Sequence, residues 1–113
     1  KLLKIESKLE IIEQLYNHSF KKISYFQNDI TKFRILLLVI KNHQQNINQT
    51  IEELVDELPK TISSRAHKLN CITEATRNKY LIKETSKSDQ RKKYLKPSQE
   101  LLDELKEFLK ILN

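Results

Sequence analysis

Few residues in this chain could do chemistry on their own, and their spacing argues against most of it. His18, His43, His67 and the single Cys71 are the donors a transition metal would seek. The histidines fall at no recurring His/Asp/Glu spacing, and no Cys pair starts a zinc ribbon or finger, so neither a metal site nor a cofactor is expected. Without a resolving partner Cys71 reads as a small packing residue in a helix rather than a redox switch. Glu52, Glu53, Asp56 and Glu57 resemble a carboxylate cluster. They open a capped helix, and attraction to the helix dipole accounts for them without catalysis. The 113 residues include no Gly. That removes the GxxxxGK phosphate loop, the GxGxxG dinucleotide turn and the GxSxG nucleophile elbow, whose backbones only Gly tolerates. An enzyme is not expected.

What remains is positive charge, and it is concentrated. Residues 60 to 96 hold Lys60, Arg65, Lys68, Arg77, Lys79, Lys83, Lys87, Arg91, Lys92, Lys93 and Lys96 against Glu74, Glu84 and Asp89. The local net of +8 exceeds the +6 of the whole chain, so the rest is slightly acidic. Evenly solvated surfaces do not segregate charge in this way, whereas a phosphate-backbone binder does. Double-stranded DNA is the expected partner. The longest apolar run, Ile35 to Ile40, is too short to span a bilayer, and no charged-then-apolar leader opens the chain. No membrane partner is expected, and a cytoplasmic, nucleoid-associated protein is.

The elements that would position these residues are mostly helices. Ile5, Leu9, Ile12, Tyr16 and Ile23 recur at helical spacing, which predicts one long helix from Leu2 to Ile23. A second, starting at Asn28 or Asp29 and running toward His43, is apolar on nearly every side between Ile35 and Ile40, as in a helix buried centrally. Gln44-Gln45-Asn46 reads as a turn. Thr50 with Glu53 forms a capping box, opening a third helix from Ile51 to Leu58 that Pro59 ends. Ser63 or Ser64 caps a fourth, with Leu69, Ile72 and Thr76 inward and Arg65, His67, Lys68 and Asn70 outward. Tyr80-Leu81-Ile82 and Tyr94-Leu95 read as short strands around the basic loop Lys83 to Lys93. Ser98 caps the last helix, where Leu101, Leu105, Phe108 and Leu112 form a second apolar seam. The fold class is therefore mainly α, a winged helix-turn-helix with a two-stranded β-hairpin wing, flanked by N- and C-terminal dimerisation helices.

Tyr80-Leu81-Ile82-Lys83, then Ser88-Asp89-Gln90-Arg91, Leu95 and Pro97-Ser98, resemble the MarR family of winged-helix regulators, its SarA-like branch included. The first run is similar to the family's "GLI" stretch, the second to its wing "DxR" motif, and Pro97-Ser98 to its helix-capping "LT". Glu53-Leu54-Val55 stands where the family has "eLA". The resemblance covers about residues 29 to 105 in element order. The family usually has Gly where this chain offers Lys79 or Tyr80, so a residue with a Cβ, Asn78 the candidate, has to take any positive-φ turn there.

These readings converge on one domain over residues 1–113, with dimerisation helices at 1–26 and 98–113 around a DNA-binding core at 28–96. A sequence-specific transcriptional regulator acting as a homodimer is expected. The recognition helix would offer Ser63, Ser64, Arg65, His67, Lys68 and Asn70 to the major groove, with Arg65 and Asn70 as base readers. In the wing, Lys87, Arg91, Lys92 and Lys93 would meet the flanking minor groove or backbone, and Asp89 would be structural. Ile5, Leu9, Ile12, Tyr16, Leu101, Leu105, Phe108 and Leu112 would form the dimer interface. The resemblance also implies a small-molecule effector, which these residues do not specify. The alternative is a winged helix kept as a protein-interaction or replication and assembly module.

Overall fold

Cap and turn residues divide the chain as their chemistry dictates. The computed structural model describes residues 7–10, 13 and 20–112, with Leu112 by its backbone alone. Helix α1 spans Lys21–Gln27, α2 Ile30–Gln44, α3 Ile51–Glu57 and α4 Arg65–Arg77. Strands β1 (Leu81–Thr85) and β2 (Lys93–Pro97) follow, then α5 (Gln99–Leu112). The fold is a helical winged helix with one two-stranded hairpin. Asp29 caps α2 by accepting from the Thr31 and Lys32 amides, and Ser64 caps α4 through the His67 amide. The reciprocal Thr50 and Glu53 capping box opens α3. Leu58 is extended at ψ 138°, as the residue before Pro59 must be.

The strands pair antiparallel with Leu81 opposite Pro97 and Thr85 opposite Lys93. An isolated bridge from Thr50 to Tyr94 ties the hairpin to the start of α3. One residue therefore caps the helix and docks the wing. Around this frame Phe26, Ile35, Leu36, Val39, Leu54, Ile72, Leu81 and Leu101 are all buried in a single core.

Four expectations are corrected here. The first helix does not run unbroken to Ile23. Phe20 is non-helical at φ −84° and ψ 67°, and α1 begins after it. The break is held from α5: Glu104 Oε1 accepts from the Lys22 and Ile23 amides at 3.0 and 3.1 Å, replacing the side-chain cap that Phe20 lacks. Phe20 also meets Phe108 edge-on at 5.6 Å. Ile23 and Phe26 consequently lie in the core. Leu101, expected at a dimer face, is fully buried in the same core. Leu37, inside the run read as a centrally buried helix, is exposed, because it lines an open trough between α2 and α5 instead of packing in the core. Finally, Lys79 and not Asn78 takes the left-handed position, with φ 63°. Of the N-terminal seam, Leu9 is exposed, whereas Ile5, Ile12 and Tyr16 lie outside the described residues, as does the Leu112 side chain.

Lys79 closes α4 in a Schellman arrangement, with Tyr80 N–H bonded to Ala75 C=O and Lys79 N–H to Thr76 C=O. A Cβ in this conformation costs roughly 1 kcal/mol or more, which Gly avoids. Lys79→Gly should therefore raise unfolding free energy by about 0.5–1 kcal/mol, read by urea titration as a higher midpoint at unchanged slope.

Candidate nucleic-acid interface

Helix α4 turns its Lys68, Cys71, Ile72 and Ala75 stripe into the core, a 3, 4, 7 spacing that fixes what the opposite face can show. Ser64, Arg65, Ala66, Leu69, Asn70, Thr73 and Arg77 are exposed. Two sequence expectations are thereby reversed. Lys68, assigned to the groove-facing surface, is buried at 4 % exposure, its long stem continuing the apolar stripe. Leu69, assigned inward, is on the open face. Charge alone placed Lys68 outside, but the register of Cys71, Ile72 and Ala75 places it inside.

The other proposed groove residues differ in how free they are. Asn70 is exposed. Arg65 Nη1 is 2.6 Å from Asp56 Oδ1 of α3, which fixes the first turn of α4 against the preceding helix. Ser63 is half-buried and accepts from the Thr31 hydroxyl at 2.8 Å. Ser64 Oγ is committed to its own helix cap. His67 Nε2 lies 3.0 Å from Asp29 Oδ2 and 3.5 Å from Cys71 Sγ. Burial works to raise the Asp29 carboxyl's pKa, but the Thr31 amide, the His67 ring and the Lys32 amide together hold it below the usual range. Burial and the nearby Asp29 charge push the Cys71 thiol up. Sequence reasoning missed this Asp29, His67 and Cys71 group, because Asp29 is 38 positions from His67 and joins it only when α2 packs on α4.

The wing is built around Asp89. Its Oδ1 accepts from the Arg91 backbone N–H at 3.0 Å and from Arg91 Nε at 3.3 Å. The Arg91 amide and guanidinium hold the Asp89 carboxyl below the usual carboxylate range. Behind it the half-turn is closed by Ser86, whose N–H donates to Lys92 C=O while its buried hydroxyl accepts from the Ser88 and Asp89 amides. Arg91 is bound at one edge only, and 92 % of its side chain is exposed. Lys87, Lys92 and Lys93 are exposed alongside it, with Lys93 Nζ on Thr85 Oγ1 at 2.8 Å. Leu69 of α4, Thr50 with Ile51, Glu52 and Glu53 at the start of α3, and Arg91, Lys92 and Lys93 line one groove of about 670 Å³.

Away from this face, α2 and α5 enclose an apolar trough of about 750 Å³ lined by Phe33, Leu37, Ile40, Leu102, Leu105, Phe108 and Leu109. Leu105 and Phe108 are half-buried there, and Leu109 is exposed. Among the described residues no helix is long and apolar enough to cross a membrane.

This order of helices, helix-turn-helix, hairpin and closing helix has a counterpart among solved structures. The chain shares its fold with the heme sensor protein PefR. The structure of PefR from Streptococcus agalactiae in complex with heme matches with a TM-score of 0.52 and 18% sequence identity, over 96% of this chain and 74% of PefR. PefR with heme and carbon monoxide matches equally well, over 75% of its length. No family model matches the chain, and neither does any curated protein. The likeness to PefR is one of architecture, a winged helix, and agrees at the level of fold with the resemblance read in residues 80–98.

Proposed function

We propose that the protein is a double-stranded DNA-binding transcriptional regulator that acts as a homodimer. The observation that carries this reading is the juxtaposition of the open face of α4 with the basic wing. Leu69 on the open face of α4 and the wing residues Arg91, Lys92 and Lys93 line one groove, with Glu52 and Glu53 of α3 at its other side, so a duplex that lays a major groove on α4 brings its flanking phosphates to the wing. Asn70, free and exposed, is the base reader of α4, suited to adenine. Arg65 reads guanine only after exchanging Asp56 for the base, so its contribution to affinity is the smaller of the two. Ser64 and Lys87 touch phosphates, while Ser63, His67 and Lys68 shape the helix from behind.

The homodimer forms through α5 and the N-terminal seam. Its support is the exposed apolar surface of Leu9 on the N-terminal seam, and of Leu37 and Leu109 beside half-buried Leu105 and Phe108 in the trough between α2 and α5. PefR holds heme in its complexes; for this chain an effector of unspecified chemistry remains part of the proposal.

Selection from a random duplex pool at physiological salt tests the reading. A palindromic consensus is the expected outcome, with log affinity falling steeply against log salt. Salt-insensitive binding to DNA, or none, overturns it. Asn70→Ala should relax the preference at one position per half-site and lower affinity there by about 1–3 kcal/mol. Sedimentation at micromolar concentration should give a dimer.

A further inference from the structure

We propose that Asp29, His67 and Cys71 form a binding site for one transition-metal ion of zinc's class, bridging the start of α2 to the first turns of α4. The three donor atoms lie within 4.8 Å of one another. His67 and Cys71 are four apart on α4 and so project from one face. Asp29 enters from the neighbouring helix, already oriented: Oδ1 is taken by the Thr31 amide at 2.7 Å, which leaves Oδ2 for the site.

The two separations at His67 suit a metal, while the Asp29 and Cys71 donors, up to 4.8 Å apart, close toward the ~3.6 Å that tetrahedral coordination sets when an ion binds. Tetrahedral coordination with Zn–N of about 2.05 Å and Zn–S of about 2.3 Å sets the nitrogen and sulfur ~3.5 Å apart, and His67 Nε2 to Cys71 Sγ is 3.5 Å. The same ring nitrogen is 3.0 Å from Asp29 Oδ2. With at most one hydrogen to offer, Nε2 faces both an oxygen and a sulfur. A cation with all three as ligands serves each of them.

Nitrogen, sulfur and carboxylate oxygen together form a borderline-soft set that favours zinc, cobalt or nickel over magnesium or calcium. On binding, the Cys71 thiol gives its proton to solvent, and thiolate plus carboxylate balance a divalent charge. Three protein ligands leave a fourth position for water. Cys71 is buried, but the His67 side chain is 44% exposed, which gives the ion a way in. The charged groups nearest the site oppose one another. Lys32 of α2 disfavours a cation, and Glu74 of α4 holds the Lys32 ammonium at 3.3 Å.

Occupancy would clamp the first turns of α4 to α2. That clamp bears on DNA only through the function proposed above, so the site is tested without DNA. Cobalt(II) is titrated into the full chain and the near-ultraviolet thiolate-to-cobalt charge-transfer band is followed. One equivalent should saturate the band, and zinc should displace cobalt and raise the melting temperature. Cys71→Ser should abolish the band. Asp29→Asn keeps an equally good helix cap, and His67→Gln alters a partly exposed ring. Both should fold with unchanged metal-free melting temperature yet bind cobalt more than about tenfold more weakly, a loss seen even for groups that merely orient a metal ligand. No charge-transfer band in the wild-type chain, or wild-type cobalt affinity in both Asp29→Asn and His67→Gln, overturns the site. Loss of DNA binding with the cobalt band intact would overturn the regulator and leave the metal site standing.

Discussion

Leu101→Ala should cost about 2–5 kcal/mol of folding stability, as deletion of a fully buried leucine does. Against the roughly 5–15 kcal/mol that holds a domain together, that is a large fraction. Leu101 has no exposed surface and sits in one cluster with Phe26, Ile35, Leu36, Leu81 and Leu95, joining the last helix to the winged core. Its amide also receives the Ser98 cap at 3.1 Å, so the cavity would open beside the first turn of α5. The melting temperature should fall by on the order of 10 °C or more. Leu109→Ala, on the exposed side of the same helix, supplies the contrast. Its loss should appear as weaker self-association and a melting temperature that depends on protein concentration, whereas the Leu101 loss persists at every concentration. If both variants behaved alike, the division of α5 into a core side and a dimer side would be wrong.

That division shows why some of the structure was legible in the sequence and some was not. Caps announce themselves by local chemistry: Asp29, Thr50 with Glu53, Ser64 and Ser98 each satisfy amides within three residues, so spacing alone reveals them. The hairpin was visible from its two short apolar runs around a polar turn, a short-range pattern, but the strands extend further than those runs, taking in Lys83, Glu84, Thr85 and Lys93 from the expected loop through backbone pairing. Which side of a helix faces inward depends on neighbours that sequence does not name. Leu101 looks identical to Leu109 by type, and only the packing of α1 and α5 separates them. Lys68 and Leu69 were exchanged for the same reason: side-chain polarity outvoted a helical register that buries position 68 with 71, 72 and 75. The break at Phe20 was invisible because its cap comes from Glu104, over eighty positions away. The Asp29, His67 and Cys71 group is hidden likewise, since only His67 and Cys71 share an element.

The wing gives the sharpest functional prediction. Arg91→Ala should lower affinity for duplex DNA about tenfold or more, because it removes the one exposed guanidinium at the hairpin tip, and a guanidinium desolvates into a narrow minor groove more readily than an ammonium. Lys92→Ala should cost less and reduce the salt slope by about one unit, as loss of a single phosphate contact does. Asp89→Ala decides between a built wing and a mobile basic loop. On a mobile loop, deleting an acid strengthens DNA binding by removing repulsion. Here Asp89 holds Arg91 at both its amide and its Nε, so its loss should weaken binding despite the more favourable net charge. The sign should reverse once the arginine is gone: in an Arg91→Ala background, Asp89→Ala has nothing left to position and should leave affinity unchanged or raise it. Such non-additivity is what a double-mutant cycle measures for directly coupled groups. Because Arg91 depresses the Asp89 carboxyl's pKa, the pairing is complete above the ordinary carboxylate range and is lost only as pH falls through the lowered value. Between about pH 6 and 8 the wing's contribution should therefore be flat. Anisotropy titrations of the four proteins on one duplex at fixed salt give the whole cycle, and a gain in affinity for Asp89→Ala alone would show that the carboxylate does not hold the arginine for DNA.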